Sequence, residues 1–237
     1  MLNIFEQTLS KAISFEGIGL HTGEKSRIKI LPGEAGKGII FKRIDLAKNN
    51  IIKANYNNVS SAKLCTTLEN SHGIKVSTVE HLLAALYIAE IDCAVIEIDS
   101  EEVPIMDGSA KHFLNEIKKI KVRKLQRKRK YLKILDKVEL QDGKRFISIE
   151  PAEISLSVNF KLNYENKIIG NQENTINFEK DNLLDIADAR TFCLLKDIEK
   201  IKEIGLAKGG TLANAIVVDE NKIVNESGLR NKKEFVN

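Results

Sequence analysis

The sequence predicts an α+β protein in which a β-sheet layered with helices is used twice. Three observations carry that reading. Within each half, alternating strand patterns come before helical ones. A basic stretch separates the halves. The chain has 237 residues, 43% hydrophobic and 30% charged, which is ordinary globular composition for one large domain or two small ones. The boundaries follow: a first α+β domain over 1–120, a basic linker over 121–131, and a second α+β domain over 132–237. The halves share no obvious repeat, and the second domain reads as incomplete at its C-terminus, with less helical cover than the first.

In the first half, Ile28 and Ile30 alternate with Arg27 and Lys29, so Lys25–Leu31 is a half-buried strand. A turn at Pro32–Gly33 leads to a strand over Gly38–Ile44. Thr78–Ala89 is the strongest helix, Asp92–Asp99 a strand, and Gly108–Lys119 a helix with Phe113, Leu114 and Ile117 on one stripe. In the second half, Tyr131–Leu140 and Arg145–Glu150 flank Asp142–Gly143, a hairpin signal. Ile154, Leu156, Val158, Phe160 and Leu162 alternate with Ser155, Ser157, Asn159 and Lys161 as a strand. Asp181–Ala189 and Lys196–Glu203 are helical. Ala215–Asp219 and Lys222–Asn225 form a hairpin around Glu220–Asn221.

The net charge of +4 is local. Ten Lys or Arg lie between Lys118 and Lys133 with no acid, and setting them aside leaves 27 basic against 33 acidic groups. Only Tyr131 is aromatic in that stretch, so it lacks the stacking platform of an RNA-binding module; a solvated connector is the plainer reading, and no nucleic-acid partner is expected. Cys65, Cys93 and Cys193 form no CxxC pair, which points to free thiols in a reducing compartment. No apolar run approaches the ~18 residues of a membrane span, and the MLNIFEQTLSK start has no signal-peptide core. A cytoplasmic protein is expected, and a monomer.

Chemistry-bearing residues cluster in a few segments. Ser77 and Glu80 have the spacing of a capping box at a helix start. Val79, Leu82, Leu83 and Leu86 make that helix's apolar stripe, with His81 off it beside the small Ala84 and Ala85. His81 therefore reads either as a surface or structural histidine or as one with room for a metal or ligand. Asp107 and Ser109 can cap the next helix. His21 sits in the glycine-punctuated GIGLHTG, which is not a dinucleotide fingerprint. Arg190, Thr191 and Phe192 end a helix, with Arg190 suited to the negative helix terminus.

Together the segments GIGLHTG (17–23), KVSTVEHLLAAL (75–86), VPIMDGSA (103–110), DARTF (188–192), GLAKGGTLANAIVVD (205–219) and NESGLRNKKEFVN (225–237) closely resemble the UDP-3-O-acyl-N-acetylglucosamine deacetylases, zinc enzymes of lipid A biosynthesis. The resemblance implies two similar domains with the active site between them, and hydrolysis of the N-acetyl group of UDP-3-O-acyl-N-acetylglucosamine. It makes His81 a ligand of Zn2+, Glu80 the general base and Thr191 the oxyanion-stabilising hydroxyl. Phe192 and an insert (about 193–222) carrying Ile198, Ala207, Leu212, Ala215 and Val217 match the apolar passage for the acyl chain. His21 and Cys65 match residues close to the pocket.

Two departures stand out. The family continues past EFVN with a His-Lys-x-x-Asp helix supplying two more zinc ligands, and further on with a Gly-His whose histidine is the general acid. This sequence stops before them, and neither His72 nor His112 lies in a motif that replaces them. Cys193 stands where the family usually has Gly. The expectation is a chain inactive by itself; the alternative is a catalytically inactive remnant that binds UDP-sugar or lipid.

Overall fold

Alternation in the first half builds a sheet with one wet and one dry face. The computed structural model describes residues 4–152 and 156–236. The first half runs β1 (Phe5–Leu9), β2 (Ile13–Ile18), β3 (Lys25–Pro32), β4 (Ile39–Arg43), β5 (Ile51–Lys53), β6 (Val59–Ser61), β7 (Thr67–Glu69), β8 (Lys75–Val76), α1 (Glu80–Ile88), β9 (Ala94–Ile98), α2 (Lys111–Lys118) and β10 (Val122–Lys128). The main sheet has the order β2-β3-β9-β4-β5, antiparallel except for the β4–β9 pair. Its register sets Ile28 opposite Ile98, Ile30 and Phe41 opposite Ile96, and Ile52 opposite Phe41. All six are buried, in one core with Leu82, Ala85 and Leu86 of α1 and Phe113, Leu114 and Ile117 of α2. The expected helical stripe of α2 is thus the buried one. Ala85, expected beside His81 off the stripe, is fully buried in this core.

The basic segment corrects the connector reading. It is strand β10, paired antiparallel with β1 from Leu9↔Val122 to Phe5↔Lys128. Its residues stay largely exposed, and its charges have partners: Arg127 pairs with Glu6, and the adjoining Arg129 with Asp92 at 2.7 Å. Strand pairing, which needs no hydrophobic signal on an edge, explains why composition did not reveal it.

The second half continues with β11 (Val138–Asp142), β12 (Arg145–Ile149), β13 (Ser157–Asn163), β14 (Asn171–Asn177), α3 (Leu183–Ala187), β15 (Phe192–Leu194), α4 (Ile198–Glu203) and β16 (Ile216–Val218). The hairpin at Asp142–Gly143 forms as expected, with Asp142 paired to Arg145, but regular strand begins only at Val138, not Tyr131. The β13 alternation does not bury one face: Leu156, Val158 and Phe160 are all exposed. Ile154 and Ser155 lie outside the described residues. The strand β16 pairs parallel with β15, and only a single bridge, Val218↔Ile223, remains of the hairpin expected around Glu220–Asn221. A small core of Ile169, Ile216, Val218 and Phe235 holds this region.

The two halves touch. The Ala187 side chain of α3 joins the first-half core, and α3 packs on α1 and α2. Across the same boundary, Arg230 reaches Asp107 at 2.8 Å, and within the second half it also holds Asp188 at 2.8 Å. The expectation that Arg190 serves a helix terminus is overturned. Its guanidinium is buried and paired with buried Glu234 at 2.7 Å, and it also donates to the Gly228 carbonyl. A guanidinium buried to this extent requires a carboxylate, and Glu234 answers it from 44 residues away.

Candidate active site

The chain enters α1 through a sharp bend. Thr78 adopts a left-handed conformation (φ +55°), and its hydroxyl donates to Glu102 at 2.7 Å. Ser77 is held by the Glu101 carbonyl, which takes both its N–H and its hydroxyl. The residue preceding the helix is Val79, and no side chain caps it. The capping box therefore does not form. Instead the Glu80 carboxylate turns to the 64–66 loop and accepts the Thr66 N–H on Oε2 at 3.0 Å. That contact orients Glu80 and leaves Oε1 for other chemistry.

His81 follows on the same turn. Burial is the main influence on it and holds its imidazole below the ordinary value, against the upward pull of Glu80 and Asp107. The neutral form is the one that ligates metals. Asp107 faces the same space. Burial opposes its charge, but hydrogen bonds from Arg230 and Ser109 outweigh burial and hold its carboxyl below the usual range. Ser109 also takes the Lys111 N–H at the α2 start, so the expected capping role is partly kept.

Thr191 is placed by its backbone. Its N–H donates to the Gly108 carbonyl at 2.8 Å, and its own carbonyl accepts the Ile216 N–H. Gly108 has φ +83°, and a Cβ there would run into the Asn214 carbonyl; only glycine permits this approach. The Asp107–Ser109 turn thus links Thr191 and β15–β16 to the groups facing His81.

His21 and Cys65 meet on the other side of the loop. The His21 backbone is anchored by Glu102, whose buried carboxylate accepts the N–H groups of His21 and Thr22 and the hydroxyls of Thr22 and Thr78. Its ring accepts the Ala207 N–H on Nδ1 at 3.3 Å. The Lys208 and Gly209 N–H groups donate to the carbonyls of His21 and Leu20, so the 207–209 turn is laid onto GIGLHTG. Burial lowers the His21 imidazole, but the Cys65 side chain and the charge of Glu102 raise it further, to a net value above the ordinary one.

Of the expected passage residues, Ala215 and Val217 are buried and Phe192 is partly buried. Its ring stacks edge-to-face between Tyr164 and Phe235. Leu212 is exposed, Ile198 starts α4, and Ala207 stands in the turn on His21. Glu80 is bonded to the 64–66 loop that carries Cys65, Ala207 lies on the His21 ring, and Thr191 is held by Gly108 next to Asp107; Leu212 is joined to Ala215 and Val217 through Asn225. Glu102 and Arg230 are the anchors that sequence reading missed. Both sit in the family-like segments VPIMDGSA and its preceding acids, and NESGLRNKKEFVN, but a buried and an exposed Glu or Arg look alike in sequence.

A model of the UDP-3-O-acyl N-acetylglycosamine deacetylase family matches residues 6–237. The UDP-3-O-acyl-N-acetylglucosamine deacetylase of Citrifermentans bemidjiense is 42% identical over 234 residues, covering 98% of this chain and 76% of the relative. That of Campylobacter fetus subsp. fetus is 41% identical, over 98% of this chain and 78% of the relative. That of Haemophilus ducreyi is 37% identical, over 98% and 77%.

Proposed function

Since the chain belongs to the UDP-3-O-acyl N-acetylglycosamine deacetylase family, we propose that it carries much of a deacetylase site for UDP-3-O-acyl-N-acetylglucosamine, the substrate named for its relatives, in lipid A biosynthesis. The observation that supports this most directly is the pairing of a loop-oriented Glu80 with a neutral-leaning His81 at one helix start, beside the turn that positions Thr191. Glu80 takes the proton of the attacking water on its free oxygen. The Thr191 hydroxyl donates to the oxygen on which negative charge develops, a contact of the kind whose loss costs ~10²–10³ in rate. Phe192, Ala215 and Val217, with Ile198, Ala207 and Leu212 beside them, form the apolar passage for the acyl chain, where each buried CH₂ contributes ~0.8 kcal/mol. The site lies between two α+β domains, the first over 1–120 and the second over 132–237.

Zinc is the metal the family resemblance implies, and it lowers the pKa of a bound water toward ~7. His81 suits it as one donor. A catalytic zinc takes three protein ligands, and no group of three or more His, Cys, Asp or Glu that could hold a metal is found among the described residues. These residues by themselves do not make a zinc site; the reading therefore includes donors from outside them. Until those donors are supplied, the chain is expected to be inactive and can still bind the UDP-sugar or acyl portion of the substrate. No helix among the described residues is long and apolar enough to cross a membrane.

The test measures zinc per chain and amine product for wild type, His81→Ala and Glu80→Gln. Zinc retained by wild type and Glu80→Gln but lost from His81→Ala, with product absent from Glu80→Gln, is the expected pattern once ligands are completed by a full-length relative's C-terminal segment added in trans. Amine product from Glu80→Gln at the wild-type rate would remove the base assignment. Substrate bound in chelator without turnover would favour the binding reading.

A further inference from the structure

The basic strand β10 has a property that neither the fold nor the proposed chemistry uses. From Lys118 to Lys133 there are ten Lys or Arg and no acid. Among the described residues, carboxylates answer three of them: Glu116 holds Lys119, Glu6 holds Arg127 and Asp92 holds Arg129. The last two belong to the fold, since they tie β10 and its end to Glu6 of β1 and to Asp92. Arg123, Lys124 and Lys128 of β10, with Lys130 and Lys133 after it, are exposed and have no ion pair among the described residues.

The β1–β10 ladder sets apolar side chains among these charges. Its register puts Phe5 opposite Lys128, and directly opposed side chains leave the same face. One step on, the Arg129 N–H donates to the Ile4 carbonyl at 2.8 Å. The chain then runs through Tyr131, Leu132 and Leu135. Ile4 is 63% exposed and Leu132 91%, and Phe5, Tyr131 and Leu135 are exposed as well. A single exposed apolar residue needs no explanation. Several at one end of one ladder, set among unpaired cations, mark an interaction surface.

We propose that this end of the β1–β10 ladder docks the protein on a lipid bilayer that carries anionic headgroups. The unpaired cations meet the negative surface, and Ile4, Phe5 and Leu132 enter the boundary between headgroups and acyl chains. This is a peripheral contact that spans nothing. Charge complementarity selects an anionic surface. The aliphatic Ile4, Leu132 and Leu135 select lipid over nucleic acid, whose bases stack on aromatic faces. The patch contains none of the residues assigned to the deacetylase site, so it stands apart from that reading.

The probe is co-sedimentation of the full chain with vesicles of phosphatidylcholine alone or with about one third phosphatidylglycerol, neither containing UDP or an acylated sugar. The chain is expected to sediment with the anionic vesicles and not with the neutral ones, and to be released as added salt screens the contact. Lys124→Gln, Lys128→Gln and Lys130→Gln together should weaken partitioning by about fivefold per lysine. Leu132→Ser should weaken it about tenfold at unchanged charge. All four positions are exposed, so the urea midpoint should not move. Equal partitioning to neutral and anionic vesicles, or none to either, overturns the proposal, and wild type alone decides that. Anionic binding that Leu132→Ser leaves unchanged, or a single-stranded RNA that binds more tightly than the vesicles and strips the chain from them, overturns it in favour of a general polyanion surface.

Discussion

Glu102 shows how much a single side chain organises. Its carboxylate takes two backbone N–H groups of the GIGLHTG loop and the hydroxyls of Thr22 and Thr78, all inside the protein. It thereby fixes both His21 and the bend that launches α1. Glu102→Gln would turn an amide N–H₂ toward a backbone N–H that can only donate, and is expected to cost about 2–3 kcal/mol, read from the urea midpoint. Asp45 gives a pH-dependent test. The hydrogen bond from Arg43 is the main cause that holds its carboxyl below the usual range, against a smaller upward push from burial. A carboxyl depressed in the folded state contributes stability above its unfolded value and loses it as pH falls through the folded one. The stability gap between wild type and Asp45→Asn should therefore be full above about pH 5 and close as pH falls below about 4.

At the scale of elements, the turn at Gly108 couples the two halves. It presents its carbonyl to Thr191 in a conformation that a side chain strains, with Asn214 in the space a Cβ would take. Gly108→Ala is expected to cost more than about 1 kcal/mol. Where activity is reconstituted, the displaced Thr191 should lower kcat by about 10²-fold with little change in substrate binding. The elements themselves were unevenly legible. The Ile28/Ile30 alternation, the Phe113–Leu114–Ile117 stripe and the Asp142–Gly143 turn each carry a local signal of period or turn chemistry, and each element formed. Strands β1 and β10 carry none, because their partner lies over a hundred residues away. The Ser77/Glu80 pair had the capping spacing yet adopts another role, since the competing Thr66 N–H comes from a loop that no local rule places. His21 and Cys65 were found as candidates through the resemblance; that the Ala207 N–H is laid on the His21 ring was visible only in three dimensions.

For the whole molecule, the buried Arg190–Glu234 pair ties the last described residues to the strand that follows Thr191. Removing one partner leaves a charge buried without compensation. Glu234→Ala should cost about 3–5 kcal/mol, measured by equilibrium unfolding, whereas replacing both partners with apolar residues of similar volume should cost less. The Arg230 bridges to Asp107 and Asp188 lie more in solvent and should contribute less each.

The β1–β10 ladder also has a consequence for synthesis. Strand β1 leaves the ribosome well before residues 122–128 and has to wait for them before it finds its strand partner. Contacts of such long sequence separation close late and slowly. During that interval an unpaired edge strand is open to pairing with another nascent chain. The charged partner strand, rich in Lys and Arg, is then suited to arrive without itself aggregating, and slowing translation between β1 and β10 should lower the soluble yield.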